Sequence, residues 1–127
     1  MKRFLRFCAA GAAAYAVDAG VLMALVSLAG MNPYAARVIS FLAAATFTWW
    51  LNRRYTFEVK RRPTRAEWMA YVALMAIGAA VNYATYAAAI TWWPLARSHL
   101  WLAVALGSIA GLGINFASSK RLFERTA

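Results

Sequence analysis

The sequence predicts an all-α integral membrane protein whose four transmembrane helices form two helical hairpins, repeated in the same orientation. Three observations predict it: long segments almost free of charge, basic residues gathered outside those segments, and a similarity between the two halves of the chain. Of the 127 residues, 64% are hydrophobic, whereas soluble domains are about half apolar. A soluble domain of this size could not bury so much apolar surface, so we expect lipid around most of the chain.

Four long segments carry at most one charge each: residues 7–30, 34–51, 69–94 and 100–119. Their two charged side chains are Asp18 in the first segment and Arg37 in the second. A helix crosses the ~30 Å hydrocarbon layer with about 20 residues, at about 1.5 Å each. With a tight turn at residues 30–33, the predicted helices are about 4–28, 34–52, 66–92 and 99–120.

The predicted helices and their short connections occupy almost the whole sequence. We therefore expect a single transmembrane domain over residues 1–127, with no separate catalytic module and no enzymatic activity. His99 is the only histidine and Cys8 the only cysteine, and the sequence contains no metal-binding, P-loop or dinucleotide-binding motif. We accordingly expect neither a metal site nor a cofactor.

The basic residues predict the orientation in the membrane. Of the 14 lysines and arginines, all but Arg37 and Arg97 lie in the N-terminal segment, the middle loop or the C-terminal end. The positive-inside rule places such segments in the cytoplasm, so we predict a multi-pass protein with both termini inside. The net charge of +10 does not predict nucleic acid binding, because no soluble module would present it to a duplex.

The two halves of the chain resemble each other. An offset of 64 residues aligns two pairs of interest: Phe7 with Tyr71, and Asp18 with Asn82. After a two-residue shift, the basic-aromatic-acidic tail at residues 54–58 aligns with the tail at 120–124. The predicted repeats cover about 3–58 and about 67–124. Because each half crosses the membrane twice, we expect a pseudo-two-fold axis along the membrane normal.

Asp18 is the strongest candidate for a functional side chain. A carboxylate near the bilayer centre costs at least about 2.5 kcal/mol, so it should face the interior and have a partner. Arg37 is the natural partner, because the two Cα levels differ by roughly 9 Å and a long arginine could largely bridge that gap. Two interpretations remain open: the pair meets a phosphate or a coupling proton on a transport pathway, or it only fixes helix packing.

Other polar side chains complete the candidate site. The amides of Asn52, Asn82 and Asn115 could bond across helices or to sugar hydroxyls. Four basic residues lie at the level of lipid phosphates, where a guanidinium suits a phosphate: Arg53, Arg54, Lys120 and Arg121. The alternative is that they only set topology and bind anionic membrane lipids in general.

Small residues on the last predicted helix permit close helix approach. Gly107 and Gly111 match the small-xxx-small pattern of packed membrane helices. The pattern fits either a dimer seam or packing within one chain. A four-helix protomer of this size encloses little volume, so we expect a homodimer or a higher homo-oligomer.

Three segments resemble the GtrA-like family of membrane proteins: residues 3–7 (Arg-Phe-Leu-Arg-Phe) with the Gly/Ala run up to Asp18, residues 52–57 (Asn-Arg-Arg-Tyr-Thr-Phe), and Asn115-Phe116 with residues 119–123. The resemblance implies a small four-helix protein of the bacterial inner membrane that acts in cell-surface polysaccharide or glycolipid synthesis. It implies a polyprenyl-phosphate-linked monosaccharide as substrate and a polyprenyl-phosphate glycosyltransferase as partner. The residues that it singles out are Asp18, Asn52, Arg53, Arg54, Asn115 and Lys120.

We therefore predict a protein that flips a polyprenyl-phosphate-linked monosaccharide across the cytoplasmic membrane. No ATP-binding motif is present, so transport would be passive or coupled to protons through Asp18. Two alternatives remain open. One is a small multidrug or cation exporter, and the other is a non-transporting adaptor that recruits the glycosyltransferase.

Overall fold

The computed structural model describes residues 1–125, which form helices joined by short turns and contain no strand within that range. The helices are α1 (Lys2–Ser27), α2 (Pro33–Leu51), α3 (Arg65–Trp92), α4 (Pro94–Ser98) and α5 (Leu100–Arg125). The all-helical prediction is confirmed, and the four predicted helices correspond to α1, α2, α3 and α5. The short α4 was not predicted. The last helix extends about five residues beyond its predicted end, because the basic C-terminal tail continues as helix.

Three of the helices, α1, α3 and α5, are long and apolar enough to cross a membrane. Few of their side chains are buried, and large apolar ones such as Tyr15, Ile77 and Ile109 are exposed. Apolar side chains exposed along several long helices are expected where lipid is the solvent, and they indicate a multi-pass membrane protein. The helix α2, with 19 residues, is not among these three.

The turn between α1 and α2 is as tight as predicted. Gly30 has a φ of +67°, a left-handed conformation that glycine adopts without steric cost. The side chain of Asn32 accepts a hydrogen bond from the backbone N–H of Tyr34 at 2.8 Å, and Pro33 occupies the first helical position. An asparagine cap followed by proline is a favourable helix start, so this turn brings α2 back along α1.

The end of α2 widens into a π-helical turn over Asn52–Thr56. The N–H of Phe57 donates to the carbonyl of Asn52 at 2.8 Å, and the N–H of Val59 donates to the carbonyl of Arg53 at 2.8 Å. Glu58 then adopts a left-handed φ of +50°. Single π turns inside helices often mark functional positions, and this one holds the first arginines of the middle loop.

The long helices pack as two pairs, α1 with α2 and α3 with α5. Glycines form the seam between α3 and α5. A Cβ on Gly107 would lie 2.5 Å from the Asn82 backbone oxygen, and one on Gly111 would lie 3.1 Å from the Gly78 carbonyl. Of the two interpretations of the Gly107-x-x-x-Gly111 pattern, the structure therefore shows packing within the chain.

An aromatic cluster joins the two pairs at the basic end of the molecule. Phe7, Phe57, Tyr71 and Phe123 are buried together, with the Phe57 and Phe123 ring centroids 5.2 Å apart. Each helix pair contributes to the cluster, since Phe7 belongs to α1, Phe57 follows α2, and the other two belong to α3 and α5. The cluster holds the pairs together at one end and leaves a cleft between them further along the helices.

Candidate functional site

A central cleft of about 390 Å³ lies between the two helix pairs. It extends from the aromatic cluster at Phe7 and Tyr71 to the level of Asp18. All four long helices line it, with small and polar side chains between large apolar ones such as Phe41 and Met75. The polar side chains that line it are Asp18, Arg37, Thr48, Asn52, Asn82, Ser108 and Asn115, with the tyrosines Tyr15 and Tyr71. Five of the predicted site residues therefore share one cleft, although they come from distant parts of the sequence.

The α1–α2 wall of the cleft is charged. Arg37 Nη1 donates to Asp18 Oδ1 at 2.6 Å and to Ser40 Oγ at 3.1 Å. The predicted pairing of Asp18 with Arg37 is confirmed. The Asp18 side chain is 20% exposed and the Arg37 side chain 55% exposed, so the guanidinium keeps free surface. It could therefore meet an anion while Asp18 still balances its charge.

The α3–α5 wall is polar but uncharged. Asn82, Ser108 and Asn115 line it, and among residues 1–125 no side-chain hydrogen bond partner of theirs is found. The amide oxygen of Asn115 is buried against Gly78. The Asn82 side chain packs over Gly107 and Gly111. The glycines give these two amides room in the seam between α3 and α5.

Asn52 lies at the basic end of the cleft and is completely buried. Its Nδ2 donates to Tyr71 Oη at 3.0 Å, and its Oδ1 accepts from Thr56 Oγ1 at 2.8 Å. Both ends of the amide are occupied, so Asn52 fastens the π turn to α3. It contributes to the cleft by positioning the Tyr71 hydroxyl beside it.

Arg53 lies outside the central cleft, in a buried cluster around Glu67. Its Nε donates to Glu67 Oε1 at 2.6 Å, and the two side chains are only 10% and 5% exposed. Trp49 Nε1 donates to the same carboxylate oxygen at 2.9 Å, and Arg61 Nη1 donates to Oε2 at 2.6 Å. Glu67 thereby ties α2, the middle loop and α3 together.

The other three predicted basic residues are exposed and do not converge. Arg54 lies over the rings of Trp50 and Tyr55, at 5.9 and 5.6 Å from the centroids, in a second cleft of about 560 Å³ that also contains Lys60. Arg121 lines a separate groove on α3 and α5. Lys120 is exposed away from the central cleft. The basic residues of the two halves thus form separate patches.

Glu67 and Ser108 were not predicted from the sequence. The sequence did hold a signal for Glu67: Thr64 precedes it by three residues, as in a capping box. Thr64 Oγ1 accepts from the Glu67 N–H at 3.1 Å, so Glu67 begins α3 at a fixed position. No comparable local signal marks Ser108, because its role depends on which helix faces it.

Among residues 1–125, no group of three or more His, Cys, Asp or Glu side chains is placed to hold a metal ion.

Comparison with known proteins identifies the chain. No solved structure matches it. The family model described as the transmembrane domain of GtrA/DPMS matches residues 6–123, which takes in the central cleft and most of α1 and α5. The match covers nearly the whole chain and agrees with the resemblance carried by residues 3–18, 52–57 and 115–123, so this protein belongs to the GtrA/DPMS transmembrane-domain family.

Proposed function

We propose that the protein moves a polyprenyl-phosphate-linked monosaccharide from the cytoplasmic to the outer leaflet, through the central cleft. The observation that carries the proposal is the cleft itself, in which an arginine–carboxylate pair faces a wall of uncharged hydrogen-bonding groups. Membership of the GtrA/DPMS family fits a role in polysaccharide synthesis, and GtrA-like domains are generally non-catalytic.

The chemistry of the lipid head explains why such a cleft would help. A sugar phosphate pays a large desolvation cost in hydrocarbon, because its charge and hydroxyls lose their water. Arg37 offers the phosphate a charge-assisted hydrogen bond, and the opposite wall offers partners to hydroxyls. The prenyl chain is apolar and stays in the lipid, so only the head needs the cleft.

Asp18 accounts for release of the phosphate from Arg37. An arginine alone in the membrane would hold a phosphate tightly and release it slowly, since a buried unpaired charge is costly. With Asp18 at 2.6 Å, Arg37 has a counter-charge both before the phosphate arrives and after it leaves. The same neutralisation disfavours the cation exporter, because the carboxylate already has a partner.

The basic end of the molecule supplies a first contact for the lipid. Arg54 and Lys60 line the second cleft beside Trp50 and Tyr55. Guanidinium groups and interfacial aromatic rings suit the phosphate level of a membrane. We assign this cleft to capture of the lipid phosphate, and we place it on the cytoplasmic side with both chain termini.

The proposal includes α2 as a fourth membrane span and two repeats around a pseudo-two-fold axis. Aligned residues of the halves support the repeats, since Phe7 and Tyr71 lie in one cluster with Phe57 and Phe123. Two ion pairs support it further. Arg3 at the start of α1 bonds Glu124 in the second tail, and Glu67 near the start of α3 bonds Arg53, immediately before the first tail.

We place the protein in the bacterial inner membrane as a homodimer or higher homo-oligomer. In this setting a polyprenyl-phosphate glycosyltransferase would supply the substrate on the cytoplasmic side. The protein would work without a cofactor, and its partners would be the glycolipid, the membrane lipids and that transferase.

A vesicle assay tests the proposal directly. The purified protein is reconstituted into vesicles that contain a polyprenyl-phosphate sugar with a fluorescent label on its head. A membrane-impermeant quencher reaches only outer-leaflet label, so quenching stops near half in protein-free vesicles. We expect nearly complete quenching when the protein is present.

Quenching that stays near half with folded protein would contradict transport. Retention of the glycosyltransferase by that inactive protein would then identify the adaptor. Accumulation of a quaternary ammonium probe in the same vesicles would identify the exporter instead.

A further inference from the structure

The two helix pairs are fastened to each other at the basic end of the molecule. The largest completely buried side chains, Tyr71 and Phe123, lie at this end. Toward the other end, large side chains such as Tyr34 and Tyr83 are exposed. Every hydrogen bond, ion pair and ring contact found between the pairs within residues 1–125 lies at the basic end. The central cleft is therefore closed at this end.

The closed end lies where the lipid head must enter under the proposed function. The glycosyltransferase leaves its product in the cytoplasmic leaflet, on the side where we place the basic end. Because the prenyl chain stays in hydrocarbon, the head must pass sideways between two helices rather than along the axis of the cleft. The pairs meet along two edges, α2 against α3 and α1 against α5, so one of these edges must open.

The α2–α3 edge is fastened by buried polar bonds. Glu67 on α3 accepts from Trp49 at 2.9 Å and from Arg53 at 2.6 Å. Trp68 Nε1 on α3 donates to Thr46 Oγ1 on α2 at 2.9 Å. Parting a buried ion pair is costly, because each charge is left uncompensated. We therefore expect this edge to stay closed.

The α1–α5 edge is held by weaker contacts. Within residues 1–125 the ion pair across it is Arg3–Glu124, with both side chains about half exposed, and exposed ion pairs contribute little to stability. Phe4 and Phe7 each pack edge-to-face on Phe116, with ring centroids 5.3 Å apart. The rings part without stranding a charge or a hydrogen-bond donor, and an apolar prenyl chain is a suitable neighbour for them meanwhile.

Behind these rings the α1–α5 edge leads directly into the central cleft. Phe7 and Gly11 on α1 and Gly111 on α5 all line the cleft. A Cβ on Gly11 would meet no atom within 4 Å, so there is room next to the rings. A head group that passes them reaches the cleft that contains Arg37.

We propose that the α1–α5 edge is a lateral gate, through which the sugar-phosphate head enters the central cleft while its prenyl chain remains in the lipid. The gate opens where Phe4 and Phe7 part from Phe116, and the α2–α3 edge around Glu67 is its hinge. This inference rests on the proposed function and adds to it the route of entry. The structure then shows the state in which the cytoplasmic gate is closed.

Cross-linking of the edge tests the gate. In a Cys8→Ser background, which removes the one native cysteine, Arg3→Cys/Glu124→Cys places a thiol on each side of the α1–α5 edge. A short bifunctional thiol reagent with a reducible disulfide links them before reconstitution, and the vesicle assay follows the lipid head. We expect the linked protein to lose nearly all translocation and the reduced protein to recover it.

Thr46→Cys/Trp68→Cys is the matched control, because these two residues meet across the α2–α3 edge and neither is buried. The linked control should translocate as fast as its unlinked form. Full translocation by the linked Arg3→Cys/Glu124→Cys protein overturns the gate and leaves transport standing. Equal loss in both linked proteins overturns the assignment of entry to the α1–α5 edge.

Spin labels on the same two cysteine pairs give a readout that does not depend on transport. In nanodiscs, we expect labels at positions 3 and 124 to show a second, longer distance when a polyprenyl-phosphate hexose is added. Labels at positions 46 and 68 should keep one distance. An unchanged distance between positions 3 and 124 overturns the gate. A longer distance there, without translocation by the wild type, overturns the proposed function but not the opening of this edge.

Discussion

Two arginine–carboxylate pairs in this protein have the same contact distance and opposite surroundings. Arg53 and Glu67 meet at 2.6 Å with both side chains at or below 10% exposure. Asp18 and Arg37 also meet at 2.6 Å, but Arg37 is 55% exposed and borders the central cleft. The difference teaches that the distance between two charged groups does not reveal the role of the pair. Whether a ligand can reach the pair is more informative.

The number of partners reinforces the contrast. Glu67 accepts bonds from Trp49, Arg53 and Arg61 and so leaves little capacity for a ligand. Asp18 accepts from Arg37 alone among residues 1–125. We therefore assign the Glu67 cluster to holding the fold and the Asp18 pair to handling substrate.

The largest effect on stability should come from Glu67→Gln. It leaves Arg53 and Arg61 without their shared counter-charge, and removing one partner of a buried pair costs about 3–5 kcal/mol. Thermal unfolding in detergent, followed by tryptophan fluorescence, measures the loss. Glu58→Gln is the control, since Glu58 is an exposed carboxylate of the loop before α3 and should leave the unfolding temperature unchanged. Equal stability of the two variants would contradict the assignment of the Glu67 cluster.

A smaller effect should follow from Gly78→Ala. The added methyl group overlaps the Asn115 amide, and overpacking of this kind costs about 1–3 kcal/mol. Gly113→Ala is the matched control, because a Cβ there meets no atom within 4 Å and both changes gain the same helix propensity. We expect Gly78→Ala to be the less stable of the two by about that amount. A Gly78→Ala protein as stable as Gly113→Ala would show that the α3–α5 seam has room for the extra methyl group.

The smallest effect should come from Glu124→Gln. Its partner Arg3 and Glu124 itself are both about half exposed, and surface ion pairs contribute about 0–1 kcal/mol. The small loss should shrink further in high salt, because salt screens exposed charges. A salt-independent loss as large as that of Glu67→Gln would show that the Arg3–Glu124 pair also belongs to the buried framework.

Much of the fold could be predicted from the sequence, because long uncharged segments and their flanking charges act locally. The helices, the turn at Gly30 and the pairing of Asp18 with Arg37 follow from such local patterns. The π turn and α4 escaped prediction, since neither has a periodic signal of its own. The fourth span, α2, stays a prediction.

The candidate site could be predicted only in part. Polar residues deep in apolar helices stand out, so Asn82 and Asn115 were identified without a structure. The separation of Arg53 from Asn82 and Asn115 could not be predicted. Arg53 bonds Glu67 outside the central cleft, and Glu67 lies 14 residues further along the chain. Neighbours that come from distant segments decide which basic residues remain free, and a single sequence does not reveal them.

The most direct test of the central claim compares transport by Asp18→Asn, Arg37→Gln and Glu124→Gln in the vesicle assay. All three change an arginine–carboxylate pair, but only the first two change the central cleft. Each variant is first shown to be folded and inserted. We predict that Asp18→Asn and Arg37→Gln lose nearly all head-group translocation and that Glu124→Gln retains it. Translocation at the wild-type rate by folded Asp18→Asn and Arg37→Gln would contradict the account.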